Sequence, residues 1–427
     1  MLSLTAFIQS FISRKGLFVM LSVFLAKLVN FIVTILVIRI LSKGEYGLIA
    51  YGLTIISFVA PFAGAGMFQG LLRFGALSNG QIDKKVLFDI TFRKGLRYSA
   101  LMVVLLIIIS PVLTINLPEA LLYLLLLSFQ ILGLFIFLMI QVYCRLIYQN
   151  KLFAFIDIQN NLLLLVFNVG MCYFFGGMGY VLSVIIIPLF VGLYYLKKLK
   201  LYPIDLPKNR IAKIKASFNF DSKELFYYGL YMSTGGLLSQ LLFAIDILLI
   251  GNLLSDAELV AQYKASSIIP FSILIIASAV MMTDFVKLAS TSKNNKPALQ
   301  QYYWNYLKIF SLISIGIILF FYFFSAPLLS IFGAEYQGHP RLMFIFAIGV
   351  VGGILFRVPM GNMLSAIGWP KINALFSVLV LVINLIANYF MIRWYGIEGA
   401  AITTSALMWL SGLLSLGAFV YYLKRGK

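Results

Sequence analysis

From Gly16 to Leu41 the chain reads GLFVMLSVFLAKLVNFIVTILVIRIL. That stretch is apolar enough and long enough to cross a bilayer as a helix, which takes about 20 residues. One basic residue, Lys27, sits near its middle, and a tight polar turn, Ser42-Lys43-Gly44-Glu45, leads at once into a second apolar stretch. Hydrocarbon offers the backbone no water to bond to, so segments of this kind cross as helices. About twelve of them follow one another, near 16–41, 46–68, 98–117, 119–142, 157–175, 178–196, 226–250, 260–283, 306–325, 341–366, 372–392 and 397–422. The fold class they predict is an all-α membrane protein.

Composition agrees: 62% of residues are hydrophobic and 11% are charged, against about 25% charged in soluble domains. The net charge of +19 would suggest nucleic acid in a soluble protein. Here the cations lie in loops between apolar runs, so they report membrane topology, and no nucleic-acid partner is expected. With the N-terminus inside, the inner loops collect Lys84, Lys85, Arg93, Lys94, Arg97, Lys197, Lys198, Lys200 and many more, while the outer ones hold Arg39, Lys43, Lys264, Arg341 and Arg393. Both termini are therefore expected in the cytoplasm. Leu4, Phe7, Ile8, Phe11 and Ile12 share one helical face ahead of Arg14 and Lys15, which fits a short helix on the inner membrane surface. No small-residue cleavage site follows a short apolar core, so no removable signal peptide is expected. Cys144 and Cys172 suit neither a disulfide framework nor a metal site. There is no Walker A, HExxH or GxSxG pattern, and the one histidine, His339, reads as a solvated loop residue. No catalytic residue, metal or cofactor is expected.

The first helix pair has a second version. Leu254-Ser255-Asp256-Ala257-Glu258 sets against Leu41-Ser42-Lys43-Gly44-Glu45. Asn168, Tyr173 and Phe174 match Asn384, Tyr389 and Phe390 at an offset of 216 residues, as Ser110-Pro111 matches Ala326-Pro327. Tyr194-Tyr195-Leu196-Lys197-Lys198 closes span six as Tyr421-Tyr422-Leu423-Lys424-Arg425 closes span twelve. Six spans return the chain to the same side, so the two halves repeat in parallel. The expected division is an N-terminal six-helix lobe at 1–196, a cytoplasmic linker at 197–225 and a C-terminal six-helix lobe at 226–427.

The informative residues are those that a membrane penalises. Lys27 shares a helical face with Asn30 and Thr34, Arg357 sits mid-span beside Pro359 and Gly361, and Asp246 lies in the outer part of span seven on a face with Ser239 and Phe243. Lys27, Asn30, Arg357, Asp246 and Gln240 are the candidate substrate-contacting residues. The other reading of the acid is a structural lock, Asp246 pairing with Lys27 or Arg357. Prolines fall in corresponding spans, Pro61 with Pro270 and Pro111 with Pro327, and Gly64, Gly66 and Gly70 permit bending or close packing in span two.

Several stretches carry a resemblance to a known family. They are Ile38-Arg39-Ile40-Leu41-Ser42 through Glu45-Tyr46-Gly47, Asp246 through Gly251, Ala366-Ile367-Gly368-Trp369-Pro370-Lys371, and Asn384 through Gly396-Ile397-Glu398-Gly399-Ala400-Ala401. The chain resembles the Wzx-type flippases of O-antigen and capsule repeat units, the polysaccharide branch of the multidrug/oligosaccharidyl-lipid/polysaccharide exporter superfamily. The resemblance implies a MATE-like fold of two six-helix bundles around a cavity that opens alternately to either side of the bacterial inner membrane. It implies an undecaprenyl-diphosphate-linked oligosaccharide as substrate, with Lys27 and Arg357 facing its diphosphate. Membrane lipids, a polysaccharide polymerase and chain-length machinery would be its partners. Two alternatives stand beside it: a cation-coupled exporter of small amphipathic molecules, for which Asp246 speaks, and a polymerase or ligase subunit, against which the short outer loops count.

Overall fold

The computed structural model describes residues 16–77, 80–202, 222–278, 280–281, 288, 296–367 and 369–424. The amphipathic stretch before Gly16 and most of the linker, 203–221, lie outside them. The described helices are α1 (Gly16–Ile40), α2 (Lys43–Val59), α3 (Met67–Leu77), α4 (Gln81–Leu113), α5 (Leu121–Ser128), α6 (Gln130–Leu146), α7 (Asn150–Lys198), α8 (Ser222–Leu254), α9 (Ala257–Ser272), α10 (Lys296–Ser330), α11 (Pro340–Gly352), α12 (Val358–Ala366) and α13 (Pro370–Lys424). The chain divides into two compact units, Met1–Leu237 and Leu238–Lys427, and the division falls inside α8.

Local chemistry sets where helices begin. Ser42 caps α2, its side chain accepting the Glu45 N–H at 3.2 Å, and Asp256 caps α9 by accepting the N–H groups of Glu258 at 2.8 Å and Leu259 at 3.2 Å. Pro340 and Pro370 open α11 and α13, where a missing N–H costs nothing. Apolarity marks only the part of a helix inside hydrocarbon. Span three, read as 98–117, belongs to a helix that starts at Gln81 and carries Lys84, Lys85, Arg93, Lys94 and Arg97 before the apolar run.

Two very long helices are hairpins. α7 has one non-helical residue, Gly176 (φ 58°, ψ −146°), and α13 has Gly396 (φ 59°, ψ −141°). A straight helix would hold Asn168 and Ser183 about 22 Å apart, yet the Ser183 hydroxyl donates to Asn168 Oδ1. Each glycine therefore reverses the chain in a left-handed conformation that a side chain resists. The connection between spans five and six is this single corner at Gly176. With α7 and α13 each counted as two crossings, the described residues supply the twelve expected spans. By length and apolarity eight helices qualify outright, and α1 and α8 contribute shorter apolar segments, Leu28–Ile40 and Ala244–Leu254.

The corners correct the repeat register. Gly176 and Gly396 are 220 residues apart, as are Gly179 and Gly399, so Asn168 corresponds to Asn388, one helical turn beyond Asn384. The short 3-10 turns Pro118–Ala120 and Ala334–Tyr336 keep the expected offset of 216. The four residues of difference enter at Gln337–Pro340. The caps shift the first match too, because Asp256 does in α9 what Ser42 does in α2.

The second corner also yields a prediction. A Cβ on Gly399 would lie 2.0 Å from the Met391 carbonyl oxygen, whereas one on Gly417 would meet nothing within 4 Å. Gly399→Leu should destabilise by about 1–3 kcal/mol, read as a lower melting temperature in detergent, and Gly417→Leu should leave that temperature unchanged.

Span two is interrupted. After Pro61 the backbone leaves helical geometry at Ala63 (φ −50°, ψ 123°), Gly64 (φ 61°, ψ 25°) and Ala65 (φ 51°, ψ 37°). The Gly64 N–H freed by the break donates to Ser99 Oγ at 2.9 Å. Gly66 and Gly70 then pack on Gly229 and Leu225 of α8 at backbone distance, where a Cβ on Gly66 would lie 2.2 Å from the Gly229 oxygen.

Candidate functional site

In the second unit Asp246 is 1% exposed. Three donors converge on its carboxylate: Tyr263 OH at 2.6 Å, Asn388 Nδ2 at 2.6 Å and the Thr404 hydroxyl. They come from α9 and from both arms of α13. Asn388 also donates to Asn384 Oδ1 at 2.8 Å, while its own Oδ1 is buried without a hydrogen-bond partner among the described residues. The alternative reading, a lock between Asp246 and Lys27 or Arg357, finds no Arg357 pair among the described residues, where every partner of the carboxylate is neutral. A buried acid can be held by several short hydrogen bonds in place of a counter-ion, and here the sheath comes from the turn-shifted asparagine and from threonine and tyrosine. Chemically the cluster is one carboxylate held by two hydroxyls and an amide N–H, and the hydroxyls can turn to accept if a proton or a small cation binds the acid. Ser239 and Phe243, expected on the same face, have side chains outside the described set, as do Lys27 and Gln240.

Arg357 ends a π-helical turn, Gly353–Arg357, between α11 and α12. Such turns misalign a helix locally and recur at functional sites. The turn packs on the second arm of α13 at backbone distance, where a Cβ on Gly412 would lie 2.6 Å from the Arg357 nitrogen. Arg357 is half-buried and borders a small chamber of about 30 Å³ with Asn373, Ser377, Ser411, Ser415 and Phe376. The chamber has room for about two waters. A second cation lies inside a helix: Lys264, counted at the outer end of span eight, is half-buried, about 10 Å along α9 from its start. Nothing in the apolar pattern separates a charge at a span end from one two turns inside.

In the first unit Asn30 is exposed and donates from Nδ2 to Asn161 Oδ1 at 3.2 Å. Asn161 donates to the Asp157 carbonyl at 2.7 Å, and Gln141 donates to Asp157 Oδ1 at 3.0 Å. Spans one, four and five thus share a polar seam, and buried Asn160 beside it keeps an Oδ1 without a partner among the described residues. Thr34 spends its hydroxyl on the Asn30 carbonyl at 2.8 Å. Glu45 accepts from Tyr123 OH at 2.9 Å and from the Gly177 N–H at 2.8 Å, an acid at the N-terminus of the returning arm of α7. Among the described residues no group of three or more His, Cys, Asp or Glu could hold a metal ion.

Comparison with known proteins places these features. A family model described as polysaccharide biosynthesis protein matches residues 36–339. A proposed O-antigen transporter of Shigella flexneri is 30% identical over 194 residues, 45% of this chain and 46% of that one, so the match spans about half the length of that relative. Two solved structures share the fold. An inward-facing multidrug resistance MATE family transporter of the MOP superfamily superposes with a TM-score of 0.71 at 14% identity, over 94% of this chain and 95% of its own. The lipid II flippase MurJ in an inward closed conformation gives 0.70 at 14% identity, over 95% and 89%. The fold is therefore the all-α, MATE-like membrane architecture.

Proposed function

The chain belongs to the polysaccharide biosynthesis protein family, and from that membership we propose that it is a flippase for lipid-linked oligosaccharide. In this reading it carries undecaprenyl-diphosphate-linked repeat units from the inner to the outer leaflet of the bacterial inner membrane by alternating access, for O-antigen, capsule or exopolysaccharide. Arg357 carries the reading. A guanidinium half-buried within a span is kept at a cost of several kcal/mol, and a diphosphate is the partner its planar fork fits best. Lys27, Asn30 and Gln240 are assigned to the same substrate path, and both termini to the cytoplasm, in keeping with the basic inner loops. No bond is made or broken, so no catalytic residue is assigned. The Asp246 cluster takes the coupling role: a proton or small cation bound there would bias the second unit between two states.

That cluster is also the observation in favour of the second reading, a cation-coupled exporter of small amphipathic molecules. Expression in a strain deleted for its own repeat-unit flippase decides between them. Restored surface polysaccharide, together with glycosidase-accessible delivery of the lipid-linked unit to the far leaflet of proteoliposomes, is the expected result. Absent polymer at normal membrane level, with altered dye efflux, would overturn the flippase reading.

A further inference from the structure

The two arms of α13 leave between them an apolar groove of about 600 Å³, bordered on one side by Phe376 and by Trp369, just ahead of the helix, and on the other by Leu413, Leu414, Gly417 and Tyr421. Leu413 is 48% and Tyr421 58% exposed, so the groove is open at its surface. The Gly417 position leaves it unfilled, since a Cβ there would meet nothing within 4 Å. One end is marked by Trp369 and Tyr421, ring centroids 6.3 Å apart. That is the free end of the hairpin, where exposed Lys371 and Lys424 lie within three residues of those rings. Aromatic rings beside lysines are what a span presents at the level of lipid headgroups. Along the groove, Phe376 is a wall shared with the Arg357 chamber.

We propose that this groove binds the hydrocarbon chain of a polyprenyl phosphate, with its anionic end held by Lys371 and Lys424 at the mouth. The charge at the mouth selects an anionic lipid, because ammonium groups near a headgroup attract phosphate. The channel between the mouth and Phe376 is lined mainly by apolar side chains, Ile372, Phe376, Leu413 and Leu414 among them, and so takes a hydrocarbon chain. The Phe376 side chain, shared by the two linings, sets the groove beside the chamber of the half-buried Arg357. The choice of a polyprenyl chain over an ordinary bilayer lipid rests on the flippase reading.

The test uses the full chain in nanodiscs of phosphatidylethanolamine and phosphatidylglycerol, with benzoylphenylalanine at Leu413 or, as a control, at Leu319, an exposed position on α10. Undecaprenyl phosphate and undecaprenol are the added probes. Undecaprenyl phosphate should label Leu413 about tenfold more than Leu319. Gly417→Leu should remove that excess, and Lys371→Gln with Lys424→Gln should bring undecaprenyl phosphate down to the level of undecaprenol. Labelling dominated by phospholipid, equal labelling at Leu413 and Leu319, or labelling indifferent to Gly417→Leu would each overturn the site. None of these outcomes bears on whether surface polysaccharide is restored, so the groove and the flippase reading can fail separately.

Discussion

Arg357→Ala should reduce surface-polysaccharide export by at least about tenfold, equivalent to losing one charge-assisted contact of about 1.5–3 kcal/mol, while the protein still reaches the membrane. In the flippase reading Arg357 lies too far inside its span to serve topology, and the half-buried guanidinium borders a polar chamber with Asn373, Ser377, Ser411 and Ser415. Removing the side chain leaves small hydroxyls and an amide that water can satisfy, so the loss should appear in transport and not in folding. Lys27→Ala should act in the same direction, and Lys27→Arg should keep part of the activity, because a mobile headgroup asks for charge more than for fixed geometry. Immunoblotting of surface polymer at matched membrane levels of each variant is the measurement. Full export by both Arg357→Ala and Lys27→Ala would remove the basis for a cationic substrate path and favour the exporter reading.

What the sequence made legible follows from what a bilayer demands. Twelve crossings could be counted because hydrocarbon forces each into a helix of similar length. The duplication was legible in outline and wrong by one turn after residue 336. Asn384 and Asn388 lie four residues apart on the same face, so residue matching alone cannot choose between them. The glycine corners can, because only one position in each hairpin adopts a left-handed backbone. Arg357 stood out as a charge in an apolar run, but its π turn left no mark in the pattern. The partners of Asp246 were out of reach for another reason: Asn388 and Thr404 lie 142 and 158 residues further along the chain. The available signal was polar, uncharged residues within apolar spans, the Asn384–Asn388 pair in span eleven and Thr403-Thr404 in span twelve.

Asp246→Asn should leave the protein folded and uncouple transport from its driving gradient, whereas Asp246→Ala should also destabilise it. The asparagine keeps the shape of the carboxylate, and its amide still meets groups that can adapt, since the Tyr263 and Thr404 hydroxyls can turn from donating to accepting. Alanine instead strands the Tyr263, Thr404 and Asn388 donors in a buried site, at about 1–3 kcal/mol for each that finds no new partner. The melting temperature in detergent should then fall by roughly 5 °C or more for Asp246→Ala and stay near that of the parent for Asp246→Asn. In proteoliposomes, flipping stimulated by an imposed sodium or proton gradient should fall about tenfold in Asp246→Asn, with the slow equilibration seen without a gradient retained. The same site tests the lock. Because the acid is satisfied by neutral donors, Lys27→Ala combined with Asp246→Ala should export no better than Lys27→Ala alone. Recovery of export in the double variant would mean that the two charges pair during the transport cycle, and the carboxylate would then be a counter-ion to Lys27 and no coupling site.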